Sequence, residues 1–94
     1  MTMDRTGRLF VITYDIEDSG RRTKVANTLK GYGERVQLSV FECWLNTGEL
    51  NVLKERLQKL IDPDNDSVRF YRPQGEVIVL GAGSAPKETK FYLA

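Results

Sequence analysis

Asp15 closes the run "RLFVITYD", and the cations Arg21, Arg22, Lys24 and Arg35 follow it within the next twenty residues. A carboxylate at the end of an apolar segment beside such a group has two uses. It can accept backbone N–H bonds as a turn or cap residue. It can also be a ligand for a hard divalent cation, because Mg²⁺ is held by as few as one or two carboxylates, with water and substrate phosphate supplying the rest. The residues the chain lacks narrow the chemistry further. There is no histidine, and Cys43 is the only cysteine. Histidine general bases, Ser-His-Asp and Cys-His nucleophiles, imidazole metal ligation, cysteine zinc clusters and an intrachain disulfide are therefore all excluded. Carboxylates and an oxygen-binding cation are the tools that remain.

The charges are segregated along the chain. From Arg5 to Arg35 there are seven cations against four acids, whereas Val36 to Asp66 holds three cations against six acids. A domain of net charge +1 with a basic first third can present a cationic ridge to a polyanion, although ordinary surface charge has the same pattern. Arg21, Lys24 and Thr28 recur at helical spacing and share one face, where they are either solvated or in contact with phosphate. Two apparent motifs fail. "DPDND" has Ser67 and Pro73 where a calcium loop needs Gly and Glu, and "GAGSAP" lacks the third glycine and the helix start of a dinucleotide fingerprint.

The elements that must position these residues follow from periodicity. Arg8–Asp15 reads as a strand, and a helix follows it, capped by Asp18 or Ser19, with Val25, Ala26, Leu29 and Tyr32 on one face and Gly31 or Gly33 at its end. "GYGERVQLSVFECWL" reads as a second strand that turns or bulges near Glu42–Cys43 and runs on into a short third one through Trp44 and Leu45. In this reading Val36, Leu38 and Val40 face the core, while Arg35, Gln37, Ser39 and Phe41 face the other way. Asn46 and Glu49 have capping-box spacing ahead of a second helix marked by Leu50, Leu53, Leu57, Leu60 and Ile61. "SVRFYR" and "EVIVLG" read as further strands. The tail from Gly81 to Ala94 reads as flexible or as docking on a partner, with Phe91–Leu93 available as an edge strand.

This order predicts an α+β, ferredoxin-like β-α-β-β-α-β domain over residues 1–80, with an appended C-terminal strand. Both parities of the first strand carry apolar residues, but two helices cover only one face of a sheet. A second subunit on the open face is the economical cover, so a homodimer is expected. No apolar run nears the roughly 20 residues that span a bilayer, and no signal-peptide core is visible, which predicts a cytoplasmic protein without membrane contact.

"YDI", "RR", "GYGERVQLSVFEC" and "LIDPDNDSVRFY" together resemble the CRISPR-associated protein two family, the small subunit of the spacer-acquisition machinery. The resemblance runs from about Leu9 to about Leu80. It implies a ferredoxin-like homodimer packed through its open sheet faces, with Asp15 as a metal-binding aspartate shared with its twin around Mg²⁺. Arg35 and Phe41 match positions linked to activity, and Arg22 matches the first basic position after the aspartate. Lys24 stands where some members have arginine, which weakens a bidentate phosphate contact there. The nucleic-acid-binding set is then Arg21, Arg22, Lys24 and Arg35, and the catalytic set is Asp15, Arg35 and Phe41.

Two functions follow from the resemblance. One is a Mg²⁺-dependent endonuclease cutting single-stranded RNA or double-stranded DNA. The other is a non-catalytic dimeric scaffold that holds prespacer DNA and bridges dimers of the CRISPR integrase, protein one. A ferredoxin-like regulatory module for a small molecule is a third class. No residue stands out as a general base; Glu17, Asp18 and Glu42 are near Asp15 or Arg35 in sequence only.

Overall fold

The computed structural model describes residues 7–83. β1 (Arg8–Asp15) alternates exposed or half-buried positions with buried Phe10, Ile12 and Tyr14. Asp18 then caps α1 (Ser19–Lys30), its Oδ2 accepting the Arg21 N–H at 2.8 Å. The helix turns Val25, Ala26 and Leu29 inward and ends at Gly31, where the Gly31 and Tyr32 N–H groups fold back onto the Thr28 and Leu29 carbonyls.

β2 (Gly33–Gln37) and β3 (Val40–Leu45) form a hairpin that turns at Leu38–Ser39. The expected turn near Glu42–Cys43 is thus displaced by about four residues, and the facing assigned to this stretch is reversed. Phe41, Cys43 and Leu45 are in the core, while Val36 and Leu38 are 42% and 84% exposed. The reason is phase. The apolar positions change parity between Val36/Leu38/Val40 and Phe41/Cys43/Leu45, and one strand cannot present both sets to one core. A bulge between Arg35 and Gln37 leaves Val36 as the extra residue. The hairpin tip is tied to β1, because Ser39 O accepts the Tyr14 N–H at 3.2 Å and Leu38 O accepts the Tyr14 hydroxyl at 3.2 Å.

α2 (Thr47–Leu60) opens with the expected capping box. The Asn46 side chain receives the Glu49 N–H, and the Glu49 carboxylate receives the Asn46 N–H. Leu53 and Leu57 are buried, with Leu50, Leu60 and Ile61 packed partly against the core. β4 (Ser67–Tyr71) completes an antiparallel sheet in the order β2-β3-β1-β4, the ferredoxin-like arrangement. Both helices cover the face carrying Phe10, Ile12, Tyr14, Phe41 and Cys43. The register Leu9↔Trp44, Val11↔Glu42, Thr13↔Val40 and Thr13↔Arg69 defines the other face, which no helix covers.

The expected strand "EVIVLG" pairs with no strand among the described residues, and Ile78 and Leu80 are 77% and 88% exposed. Its apolar character is legible in the sequence, but β2 and β4 each present a free edge and the segment forms a ladder with neither, although Ile78–Leu80 lie close enough to Glu34–Gln37 of β2 to share a cavity with them. Gly81–Gly83 have no regular structure. The remainder of the expected tail, including Phe91–Leu93, lies outside the described residues.

Candidate functional site

Asp15 owes its place to its neighbours. Tyr14 and Ile16 are buried at 6% and 4% exposure, so strand alternation turns the side chain between them away from the helices. It pairs with Ser67 across β4 and shares the open face with Val11 and Thr13. Its carboxylate is exposed and has no hydrogen-bond or ion-pair partner among the described residues. Capping is done instead by Asp18. Among the described residues no three acidic or sulfur ligands converge on a point. One chain therefore supplies a single hard oxygen donor group at this place, which fits Mg²⁺ only if a second carboxylate or a substrate phosphate completes the shell.

Arg35 and Phe41 are brought together, as directly opposed partners of the β2–β3 ladder. The Arg35 guanidinium lies 5.3 Å from the centroid of the Phe41 ring, and its Nη2 donates to the Tyr14 hydroxyl at 3.4 Å. Tyr14 and Phe41 pack against each other with ring centroids 6.3 Å apart. Phe41 is fully buried, with the Arg35 guanidinium lying over its ring. Asp15 and this trio are not brought together in one chain, because Tyr14 and Phe41 face the helices and Asp15 faces away.

The α1 cations divide. Arg21 donates through Nε to Asp66 Oδ2 at 2.7 Å and through Nη2 to Asp66 Oδ1 at 3.3 Å. Asp66 in turn receives the Asp62 N–H at 2.8 Å. The Arg21 hydrogen bond, followed by that from the Asp62 backbone, holds the Asp66 carboxyl below the usual carboxylate range. Arg22 donates to the Ile16 and Glu17 carbonyls at 2.9 and 3.0 Å, bracing the turn that carries Asp15 into the helix. Lys24 is exposed and has no ion-pair partner among the described residues. Two of the four expected phosphate-contacting cations are thus engaged inside the chain, and Arg35 is half engaged.

A pair of acids went unnoticed in the sequence. Glu34 and Glu42 are directly opposed across β2–β3 on the open face, and burial, then the nearby Glu34 charge, pushes the Glu42 carboxyl above its usual value. Burial also raises the Cys43 thiol to about 12. The Trp44 indole N–H is buried on this side of the sheet without an acceptor among the described residues. Only the correct hairpin register reveals the acid pair, because in a strand turning at Glu42 the two residues would not meet.

Comparison with known proteins gives a consistent result. The family model described as CRISPR associated protein Cas2 matches residues 8–76. A CRISPR-associated endonuclease Cas2 of Thermus thermophilus is 51% identical over 80 residues, covering 85% of this chain and 89% of that protein. A CRISPR-associated endoribonuclease Cas2 of Synechocystis is 50% identical over 70 residues, covering 74% of this chain and 76% of that one. The crystal structure of Streptococcus pyogenes Cas2 at pH 6.5 superposes with a TM-score of 0.70 at 36% identity, covering 78% of this chain and 99% of that chain.

Proposed function

The chain belongs to the CRISPR-associated protein Cas2 family, and we propose that it works in CRISPR adaptation as a homodimeric, Mg²⁺-dependent endonuclease on RNA or DNA phosphodiesters. The observation that carries this reading is Asp15, an unpartnered carboxylate on the sheet face that the helices leave open. A second copy packed on that face would bring a second Asp15 toward it. The half-buried Leu9, Val11, Val40 and Trp44 supply the apolar surface for such packing, and the orphaned Trp44 N–H calls for an acceptor there.

In this mechanism the Asp15 carboxylates of two copies would hold Mg²⁺, which would supply Lewis-acid charge beside the phosphodiester and make a bound water more acidic. The chain's own residues do the rest. Tyr14 and Ile16 fix the direction of Asp15, and Arg22 stiffens the turn behind it. Arg35, held over Phe41 at the hairpin end, presents a cation of defined position to the nucleic-acid backbone, and Lys24 offers a mobile one. With no histidine in the chain and no acid placed as a base among the described residues, this mechanism predicts slow turnover.

One observation favours a second reading, a scaffold that holds duplex DNA and bridges integrase dimers in the cytoplasm. No chain contributes a complete metal site among its described residues, and the scaffold needs none. The two are separated by incubating matched single-stranded RNA and double-stranded DNA with the protein, in Mg²⁺ or chelator, alongside Asp15→Asn. The exposed substitution should leave the fold and dimer intact by light scattering. Mg²⁺-dependent cleavage should fall by more than the roughly 10–100-fold that loss of an outer-sphere partner costs. Cleavage that survives in the variant removes Asp15 from the mechanism and leaves the scaffold.

A further inference from the structure

At the end of the sheet remote from Asp15, two arginines meet on the helix-covered side. Arg8 begins β1 with the parity of Phe10. Arg72 directly follows Tyr71, the last residue of β4, which pairs with Val11 of β1. Arg8 and Arg72 therefore lie at the same end of the sheet, one at the start of β1 and the other just past the end of β4. Both line one cavity of about 310 Å³, whose other walls are Asn46 and Thr47 at the start of α2 and the apolar Phe10, Leu45 and Leu50. Neither arginine has a hydrogen-bond or ion-pair partner among the described residues, although the Asp66 carboxylate shows how readily an arginine in this chain is paired.

Two arginines lining one cavity, with no counter-anion for either among the described residues, call for a ligand with more than one acceptor edge. A carboxylate carries one charge and balances one guanidinium, whereas a phosphate monoester carries about −1.5 to −2 at neutral pH on three acceptor oxygens and so balances two. Thr47 adds a hydroxyl and a first-turn N–H that has no helical acceptor. The Glu49 carboxylate of the same turn points back onto the Asn46 N–H. The volume is at the lower end of the roughly 300–1,000 Å³ of ligand pockets and admits a phosphate with its sugar, the sugar lying against Leu45 and Leu50.

We infer that the Arg8–Arg72 cavity binds a phosphate monoester, the terminal phosphate of a nucleic-acid strand. It lies about 23 Å from Asp15 along β1, seven steps of extended chain, and on the other side of the sheet. It therefore captures strand ends and takes no part in the chemistry at Asp15. The inference rests on the nucleic-acid reading above, and its failure is distinguishable from the failure of that reading, because cleavage of an internally labelled substrate with hydroxyl ends requires no terminal phosphate.

The test is fluorescence anisotropy at fixed ionic strength in chelator, using one internally labelled oligonucleotide with a 5′-phosphate, a 3′-phosphate or neither. Inorganic phosphate and a nucleoside monophosphate serve as competitors. One phosphorylated form should bind roughly tenfold tighter than the hydroxyl form. Arg8→Ala and Arg72→Ala, both at exposed positions, should each abolish that difference without changing cleavage of the hydroxyl-ended substrate. If inorganic phosphate or the mononucleotide competes as strongly as the phosphorylated strand, the cavity is confirmed and a free phosphate ester is its ligand. Equal affinity for all three oligonucleotides, or a phosphate preference indifferent to both substitutions, overturns the inference.

Discussion

Truncating Phe41 to alanine separates a core role from a catalytic one. The side chain is fully buried, lies under the Arg35 guanidinium and packs against Tyr14. Removing a buried phenyl ring costs about 3–5 kcal/mol. In a domain of this size each kcal/mol lowers the thermal midpoint by about 4–8 °C, so Phe41→Ala should melt at least about 12 °C below the wild type and stand close to unfolding, given a total stability of about 5–15 kcal/mol. Phe41→Leu keeps most of the volume and should lose less than about 1.5 kcal/mol, plus the roughly 0.5–1 kcal/mol of an exposed cation–π contact. Urea midpoints at one protomer concentration, because a dimer's stability depends on concentration, measure the first quantity. Cleavage rates per folded molecule measure the second. The expected pattern is a large stability loss for alanine, a small one for leucine, and reduced but measurable cleavage in the leucine variant. A Phe41→Ala protein as stable as the wild type yet inactive would refute the core assignment and place the ring against substrate.

Two further outcomes follow from the hairpin register. Glu42→Gln should stabilise the protein at neutral pH by roughly 0.2–1 kcal/mol, since like charges directly opposed across a ladder are unfavourable. A carboxyl raised in the folded state binds its proton more tightly there than in the unfolded chain. The wild type therefore recovers as pH falls, and the variant's advantage should vanish below about pH 4 in urea titrations; an advantage constant with pH would argue against the acid pair. Gly33→Ala would drive a methyl group onto the Glu42 carbonyl oxygen and to 2.8 Å from Cys43 Cα. It should cost about 1–3 kcal/mol or more, while Gly31→Ala, whose methyl would meet nothing closer than the Thr28 carbonyl at 3.4 Å, serves as the tolerated control in the same thermal melts.

The helices, the order of elements and Asp15 were legible in the residues because each depends on local chemistry. Asp18 and Asn46 cap through their own side chains, Leu53 and Leu57 repeat at helical spacing, and Asp15 follows an alternating strand whose parity already sets its facing. The apolar character of "EVIVLG" was legible, but pairing is not a property of the segment alone; β2 and β4 each offer a free edge, and among the described residues it forms a ladder with neither. The position of the hairpin was decided by competition for one core. Val36 and Leu38 are as apolar as Cys43, and only the space beneath α1 and α2 determined that Phe41, Cys43 and Leu45 should fill it. From that choice came the pairing of Glu34 with Glu42 and the placing of Arg35 over Phe41 rather than beside Asp15. Tertiary structure likewise committed Arg21 to Asp66, forty-five residues away, and brought Arg8 and Arg72 from opposite ends of the fold to one cavity. A sequence shows which side chains carry charge, but whether a given cation is spent inside the chain or left for a ligand depends on what the fold sets beside it.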